Sequence, residues 1–221
     1  GGRPRGAPLV RITYGIHGYG RGHASRALAV LPDLMRRHQV QILAGGDAYH
    51  LLAAEYPVQR IPCLRYYYTR RMRRSTWQTT LRNFPLVLDI LLNGPAFQSV
   101  CETISDFAPD VLLCDADVYT LRAGLHLGLP RISFDHYGVL VHCRPDAPPL
   151  DRLNIRFESF FYGRMAAGPE RVIVSSFYDA PPRHDGVLVI PPILRDEVRQ
   201  TAPRDGDHLL CTLGPWLRAS G

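Results

Sequence analysis

The feature that most constrains the fold is a regular alternation, along the whole chain, between short apolar runs and longer amphipathic segments. The apolar runs have the length of β-strands buried on both faces, and the segments between them repeat apolar residues at helical spacing. This alternation predicts an α/β fold with a doubly wound, Rossmann-like parallel sheet. Asp47 is the predicted N-cap of the second helix. The predicted strands are residues 9–14, 39–44, 58–61, 111–114, 131–134, 171–175 and 187–190, and the predicted helices are residues 24–37, 48–56, 79–92, 96–107, 118–127 and 151–166.

A glycine-rich loop, reading GIHGYGRGHASR, follows the first predicted strand and leads into the first predicted helix. Glycine permits positive φ and a close approach between the backbone and another group, and it leaves no side chain in the way of a ligand. The helix that begins near His23 would direct its free N–H groups and the positive end of its dipole toward this loop, which suits an anion such as phosphate. The glycines of the loop, four within eight residues, are Gly15, Gly18, Gly20 and Gly22.

Two familiar phosphate-binding motifs do not fit this loop. A P-loop requires lysine after its second glycine, whereas Arg21 follows Gly20. The dinucleotide fingerprint Gly-x-Gly-x-x-Gly, started at Gly18, places His23 where its third glycine should stand. What remains is a glycine loop ending in Gly22-His23, and its structural alternative is a tight strand-to-helix turn with a capping histidine.

Polar side chains follow three of the predicted strands at their carboxyl ends, where doubly wound sheets bind ligands. We expect these clusters to converge at one edge of the sheet and to form a site. Each has a structural alternative: Asp115 could bond to loop amides, Asp117 could cap the next helix, and the third pair could occupy a solvent-facing turn. The clusters are His17 and His23 in the glycine loop, Asp115 and Asp117 after the fourth strand, and Asp135 and His136 after the fifth.

The charge and the cysteine content restrict the partners and the chemistry. The 221-residue chain carries a net charge of +6, so phosphates, acidic lipids and nucleic acid are the expected classes of anionic partner. All 26 basic residues are arginine, which excludes a P-loop lysine, a Schiff-base lysine and a lysine general base within this chain. The five cysteines include no Cys-x-x-Cys pair, so we expect neither a disulfide framework nor a zinc site, and we expect a reducing, cytoplasmic location.

The least regular stretch of the chain reads RYYYTRRMRR between Arg65 and Arg74, with five arginines and three tyrosines. This composition is typical of a cationic, aromatic loop that contacts anionic lipid headgroups, stacks on sugars or binds nucleic acid. A solvated basic loop with tyrosines packed beneath it is the structural alternative.

Six sequence blocks follow one another along the chain: GIHGYGRGHASRALAV, WQTTLRN, DVLLCDAD, LGLPRISFDH, PPILRDEV and HLLCTLG. Their order and spacing resemble the MurG-like GT-B glycosyltransferases, in particular the family 28-like branch. The resemblance covers nearly the whole chain, but only the amino-terminal half of such a two-domain enzyme. It implies an acceptor-side Rossmann-like domain at residues 1–190, an interdomain linker at residues 191–206, and the first strand of a truncated donor-binding domain at residues 207–221.

The resemblance also implies a reaction, in which a hexosyltransferase-type enzyme moves a sugar with inversion from a UDP-linked donor to an acceptor hydroxyl, without a cofactor or a metal. Carried over, His23 would be the general base, and Asp115 would raise its basicity and fix its tautomer. A structural role for His23 stays open, with His17 as a second candidate. The substrate-binding candidates are His17, Gly18, Gly20, Arg21, Gly22, Asp117, Asp135 and His136.

The expected setting is a bacterial cytoplasm, with peripheral contact at the inner face of the membrane through residues 65–74. The expected partners are a nucleotide-sugar donor and a hydroxyl acceptor, with no specific nucleic acid, and this piece of the enzyme is expected to be inactive alone. Two alternatives stay open. One is a nucleotide-sugar 2-epimerase of the same fold, which needs no acceptor, and the other is a non-catalytic module that binds an anionic polymer or a membrane.

Overall fold

The computed structural model describes residues 8–206, apart from residues 72, 145, 167, 203 and 205. Within these residues, seven strands form one sheet in the order β3-β2-β1-β4-β5-β6-β7, and every neighbouring pair is parallel. The predicted doubly wound, Rossmann-like sheet is therefore confirmed. The strands are β1 (Arg11–Ile16), β2 (Gln39–Ala44), β3 (Val58–Arg60), β4 (Val111–Asp115), β5 (Arg131–Asp135), β6 (Arg171–Ser175) and β7 (Val187–Ile190).

Helices cover both faces of this sheet. In the described part of the chain they are α1 (Gly22–Arg37), α2 (Gly46–Leu52), α3 (Thr76–Leu91), α4 (Pro95–Phe107), α5 (Val118–His126), α6 (Gly138–His142), α7 (Pro149–Ala166) and α8 (Asp196–Gln200). Residues of α1 and α2 pack with Tyr14, Ile16 and Ile42 in one buried cluster. Residues of α4, α5 and the end of α7 pack with Leu43 and Leu112 in a second cluster. Successive strand residues point to opposite faces, so Ile42 and Leu43 contribute to different layers.

Several features of the helices differ from the sequence predictions, and α2 ends four residues before its predicted end. α3 begins at Thr76 rather than at residue 79, because the Ser75 hydroxyl accepts a hydrogen bond from the Gln78 N–H at 3.2 Å and caps the helix earlier. The short helix α6 was not predicted, and α8 lies within the predicted linker at residues 191–206. The predicted strand at residues 207–221 lies outside the described residues, so the start of a second domain stays a prediction.

One face of α3 exposes large apolar side chains to solvent. Trp77, Leu81, Phe84 and Leu88 are between 40% and 74% exposed, and their spacing places them on one side of the helix. We call these four residues the α3 apolar face. Among the described residues, no single helix has both the length and the hydropathy of a membrane span, and α3 and α4 reach them only as a pair bent by 54°.

Candidate functional site

The candidate site lies at the carboxyl ends of β1 and β4, where the strand order reverses. From β1 the chain continues outward to β2 and β3, and it then returns to β4 on the other side of β1. Such a reversal leaves a crevice beyond the strand ends, which is the usual ligand site of doubly wound sheets. Ile16 pairs with Asp115 across the two strands, and the His17 N–H donates to the Asp115 carbonyl oxygen at 2.9 Å. The glycine loop is thereby held beside the end of β4.

His23, Asp115 and Arg26 form a hydrogen-bonded cluster in this crevice. The Nδ1 atom of His23 lies 2.7 Å from Oδ1 of Asp115. Arg26 binds the same carboxylate through two atoms, with Nε donating to Oδ2 at 2.7 Å and Nη2 donating to Oδ1 at 2.6 Å. Because His23 and Arg26 are three residues apart in α1, they lie on the same side of the helix. The structure thus brings the predicted pair together and adds an arginine to it.

Burial and pairing of Asp115 decide where the protons of this cluster reside. Burial opposes ionisation of the fully buried carboxyl group, but the neighbouring His23 and the hydrogen bonds from His23 and Arg26 together lower the pKa of Asp115 below its ordinary value. An ionised carboxylate can only accept hydrogen bonds, so Nδ1 of His23 is the donor. The Nε2 atom of the neutral imidazole then carries the free lone pair, and no described group bonds to it. The His23 side chain is 20% exposed, so the ring is not sealed inside the protein.

His17 packs edge to face against His23, with the two ring centroids 5.1 Å apart. Burial, together with the neighbouring His23, lowers the pKa of His17 to about 3. His17 is therefore neutral near pH 7, and a group with so low a pKa is a weak proton acceptor. The geometry favours His23 over His17 as a general base.

Glycine stands at the four loop positions for two different structural reasons. Gly15 and Gly18 are required by internal packing, because an added β-carbon would lie 2.2 Å from the Thr120 hydroxyl oxygen and 2.1 Å from the Gly45 carbonyl oxygen, respectively. At Gly20 and Gly22, by contrast, an added β-carbon would meet no atom within 4 Å. Gly20 also has a φ of +79°, which favours glycine. The expectation that all four glycines admit a ligand is corrected: space is open at the last two.

The first turn of α1 supplies unpaired backbone donors next to this open space. The helix begins after Arg21, and no side chain caps it. In the described part of the chain, the N–H groups of residues 22–24 have no hydrogen-bond acceptor, and the exposed Arg21 side chain has neither a hydrogen bond nor an ion pair. The alternative in which His23 caps the helix is wrong, because its ring bonds to Asp115 instead. Free amides at the positive end of a helix favour an anion.

Asp47 binds the glycine loop rather than capping α2. Gly45 occupies the N-cap position of that helix, and no side chain caps it. The Asp47 N–H donates to the Gly18 carbonyl oxygen at 2.8 Å, and its Oδ2 accepts from the Gly20 N–H at 3.3 Å. The predicted N-cap is wrong because contact between two adjacent loops engages both groups of this residue.

Asp117 caps α5, as its structural alternative supposed. Its Oδ2 atom accepts hydrogen bonds from the Thr120 N–H and the Thr120 hydroxyl, both at 2.7 Å. Burial raises the pKa of Asp117 to about 6, although the bonds to Thr120 oppose this shift. Substrate binding by Asp117 stays a prediction, without a contact that favours it.

Asp135 is buried, so the solvent-facing turn suggested for it is wrong. Burial, with the nearby Asp115 charge, raises the pKa of Asp135. Three internal donors engage this carboxyl group in holding β5, α6 and α7 together, and its predicted contact with substrate stays a prediction. The donors are the Gly138 N–H, the Ser133 hydroxyl and the Tyr162 hydroxyl.

His136 keeps one ring nitrogen available at the same edge of the sheet. Its Nδ1 atom lies 2.7 Å from the Ser175 carbonyl oxygen and must donate to it, because a carbonyl oxygen only accepts. No described group bonds to its Nε2. The ring packs edge to face against Phe177 at 5.4 Å, and Phe177 and Tyr178 are both more than half exposed. This group combines a hydrogen-bond acceptor with aromatic surface.

Arg26 is the site residue that the sequence analysis did not assign. It lies within the loop-and-helix block already singled out, and its spacing of three residues from His23 was the available signal. Its carboxylate partner is 89 residues away in sequence, so no local pattern could identify the pair. Within the described residues, no three His, Cys, Asp or Glu side chains converge as a metal site would require.

Comparison with known proteins gives one family match and several structural matches. Residues 10–215 match the family described as glycosyl transferase family 1. No curated protein matches the chain.

Among solved structures, MurG of Acinetobacter baumannii is 16% identical over 89% of this chain and 50% of its own, with a TM-score of 0.51. A UDP-glucosyltransferase from Polygonum tinctorium is 13% identical over 86% of this chain and 54% of its own, with a TM-score of 0.53. The glycotransferase of kitacinnamycin is 18% identical over 90% of this chain and 55% of its own, with a TM-score of 0.50. The chain spans about half the length of these structures, and at such identities the likeness shows a shared fold.

Proposed function

Because the chain belongs to glycosyl transferase family 1, we propose that it forms the acceptor-side half of an enzyme that transfers a sugar to an acceptor hydroxyl. Its fold is the amino-terminal half of a GT-B glycosyltransferase, as the sequence predicts. The MurG-like branch, the UDP-linked hexosyl donor and the inverting course belong to the proposal. So does the placement of the remaining donor site in the second GT-B domain.

The observation that carries the proposal is the His23–Asp115 pair at the head of α1, beside the open part of the glycine loop. In the proposed reaction, Nε2 of His23 accepts the proton of the acceptor hydroxyl while the hydroxyl oxygen forms a bond to the anomeric carbon. The bond from that carbon to the diphosphate oxygen breaks in the same step. The buried Asp115 carboxylate stabilises the imidazolium, and attack opposite the leaving group inverts the anomeric configuration.

The departing diphosphate needs stabilisation, and the start of α1 offers it. The free N–H groups of residues 22–24 and the positive helix end can bind developing negative charge without a metal or a cofactor. Arg26 supports the same step indirectly, because its two hydrogen bonds hold the Asp115 carboxylate in one orientation.

We assign the acceptor to the side of the crevice next to the end of β5. His136 can accept a hydrogen bond from a hydroxyl through Nε2, and the exposed rings of Phe177 and Tyr178 can stack on an apolar or sugar surface. Asp135 would act there by fixing the turn through Gly138 rather than by touching the acceptor.

We also propose a cytoplasmic enzyme that contacts the inner face of a membrane through residues 65–74. The support is the α3 apolar face, which follows this arginine-rich segment directly in the sequence. An apolar helix face next to basic residues is suited to an anionic bilayer surface. Co-sedimentation with anionic vesicles should fall when Arg70 and Arg71 are both changed to glutamine, and binding equal to wild type would remove this part of the proposal.

The decisive experiment measures nucleotide release by the full-length protein, with and without an acceptor. Acceptor-dependent release supports a transferase, whereas release without any acceptor indicates the 2-epimerase alternative. His23→Ala should lower kcat by about 10²–10⁴-fold, the usual contribution of a general base. His50→Ala, a change on an exposed histidine of α2, is the matched control and should keep wild-type kcat. Wild-type kcat in His23→Ala would refute the assignment of the base, and binding without any turnover would favour the non-catalytic module.

A further inference from the structure

An open cavity of about 390 Å³ lies apart from the residues of the proposed reaction, and arginine dominates its lining. Its volume falls in the range of small-molecule sites. We call it the arginine pocket. The residues that line it are Arg144, Arg152, Ile155, Arg156 and Arg183.

Two loops at the carboxyl edge of the sheet are tied together to form one wall of the arginine pocket. The Arg144 N–H donates to the Pro181 carbonyl oxygen at 2.9 Å, and the Arg183 N–H donates to the His142 carbonyl oxygen at 2.8 Å. These bonds close a short antiparallel bridge between the loop after α6 and the loop after β6. The first two turns of α7 supply the rest of the lining. The pocket is thus built from three segments that the fold holds in place.

Two of the four guanidinium groups are oriented through their Nε atoms. Arg152 Nε donates to the Ala147 carbonyl oxygen at 2.8 Å, and Arg183 Nε donates to the Cys143 carbonyl oxygen at 2.7 Å. Arg183 Nη2 also lies 3.4 Å from the Leu140 carbonyl oxygen, so Arg183 keeps Nη1 for another acceptor and Arg152 keeps both terminal nitrogens. The Arg144 and Arg156 side chains form no hydrogen bond within the part of the chain that the structure describes.

The four positive charges of the arginine pocket also lack a negatively charged partner among the described residues. Arg26, Arg74 and Arg131 each pair with a carboxylate, whereas no ion pair is found for any arginine of the pocket among the described residues. Burial, the neighbouring His184 and the charge of Arg183 lower the pKa of His142, so the positive field reaches an adjoining imidazole. Like charges around one cavity repel one another, and an anion with several charges would relieve that repulsion.

We propose that the arginine pocket binds a phosphate-bearing ligand with several negative charges, such as a diphosphate group. Guanidinium groups match phosphate oxygens through paired, charge-assisted hydrogen bonds. The phosphate could be soluble or could belong to an amphiphile, because Leu153 and Phe157 are 71% and 64% exposed on the same helix as Arg152 and Arg156. The binding requires no turnover, so it can be tested whether or not the proposed transfer reaction is correct.

Calorimetric titration of the chain with inorganic diphosphate tests the proposal. The double variant Arg144→Gln/Arg156→Gln removes two charges whose side chains hold nothing else in place. It should weaken binding at least about tenfold, since hydrogen bonds to charged groups are each worth about that factor or more. Arg36→Gln/Arg37→Gln makes the same charge change at exposed positions in the last turn of α1, outside the pocket, and its affinity should stay within about twofold of wild type. Circular dichroism melting checks the fold of both variants, and Arg156→Gln alone replaces the double variant if the latter melts early.

A second titration, with monomeric dihexanoyl phosphatidic acid, separates the two sources of phosphate. Binding tighter than that of inorganic diphosphate, and weakened by Phe157→Ser, would identify an amphiphile. Binding equal to or weaker than that of diphosphate would identify a soluble ligand. The proposal is overturned if the wild type binds neither probe, if the pocket variant binds as the wild type does, or if the control variant loses as much affinity as the pocket variant.

Discussion

Asp115→Asn replaces a buried carboxylate by an amide of nearly the same shape, and we expect it to destabilise the domain strongly. The carboxylate accepts three hydrogen bonds, from His23 Nδ1 and from Nε and Nη2 of Arg26, at 2.6–2.7 Å. The amide has one oxygen, and its NH₂ group would face a donor. Arg26, whose side chain is only 12% exposed, would lose its counter-charge. Removing one partner of a buried ion pair costs about 3–5 kcal/mol of unfolding free energy.

Asp117→Asn is the matched control, because Asp117 is buried in the same turn but has uncharged donors. Burial raises the pKa of Asp117 to about 6. Because this pKa is higher in the folded state than in the unfolded state, the free energy of unfolding falls as the pH rises from the ordinary aspartate range through about 6. At pH 7 the amide removes this unfavourable charge and keeps an oxygen for the Thr120 N–H. The variant should therefore stay within about 1 kcal/mol of wild type.

Thermal and urea unfolding at pH 7, followed by circular dichroism, compare the two variants. For a domain of this size about 2–4 °C of melting temperature corresponds to 1 kcal/mol, so Asp115→Asn should melt roughly 10 °C below wild type. The lowered pKa of Asp115 means that its contribution is present above the ordinary aspartate range and is lost in acid, so the difference should shrink as the pH falls through that range. An Asp115→Asn variant as stable as Asp117→Asn would refute the argument from the charged cluster.

Two further stability predictions concern the glycine loop and its histidine. Gly18→Ala should lower the free energy of unfolding by about 1–3 kcal/mol, because its β-carbon would overlap the Gly45 carbonyl oxygen. Gly22→Ala places its β-carbon in open space and should melt at or slightly above the wild-type temperature. Equal melting temperatures of the two variants would contradict this argument. The pKa of His17 is lowered to about 3 in the folded protein. Its contribution to the free energy of unfolding is therefore fully present above the ordinary histidine pKa of about 6.5 and is lost as the pH falls from there toward 3. His17→Gln should therefore flatten the pH dependence of stability across that interval, and an NMR titration that shows His17 protonating near pH 6 would disprove the assignment.

The sheet was predictable from the sequence because its strands carry a strong local signal. Runs such as residues 111–114 are apolar on both faces, and only a strand covered by two helix layers requires that composition. Topology predicted that the polar clusters would converge, because the carboxyl ends of adjacent parallel strands meet at one edge, whereas the pairing of His23 with Asp115 was implied by the resemblance to GT-B glycosyltransferases.

The missed features depend on contacts between distant residues. Asp47 precedes an apolar segment as an N-cap does, yet the neighbouring Gly18 and Gly20 engage it instead. Arg26 resembles any exposed helical arginine until the end of β4 is placed beside it. The arginine pocket likewise joins α7 to a loop about 30 residues further along the chain. The stretch of sequence richest in arginine, residues 70–74, is not part of the pocket and did not indicate it.

The ion pair between Arg26 and Asp115 sets the net charge of the site that an incoming anion approaches. A solitary buried carboxylate about 6 Å from a phosphate would repel it by roughly 3 kcal/mol at an effective dielectric constant of about 20, or about a hundredfold in affinity. With the guanidinium attached, the trio has zero net charge whenever the His23 ring is unprotonated, as a general base must be, so approach is not opposed. Once the imidazole gains a proton the trio becomes a monocation, and its pull on a polyanionic product rises at the moment when, in the proposed reaction, that product separates.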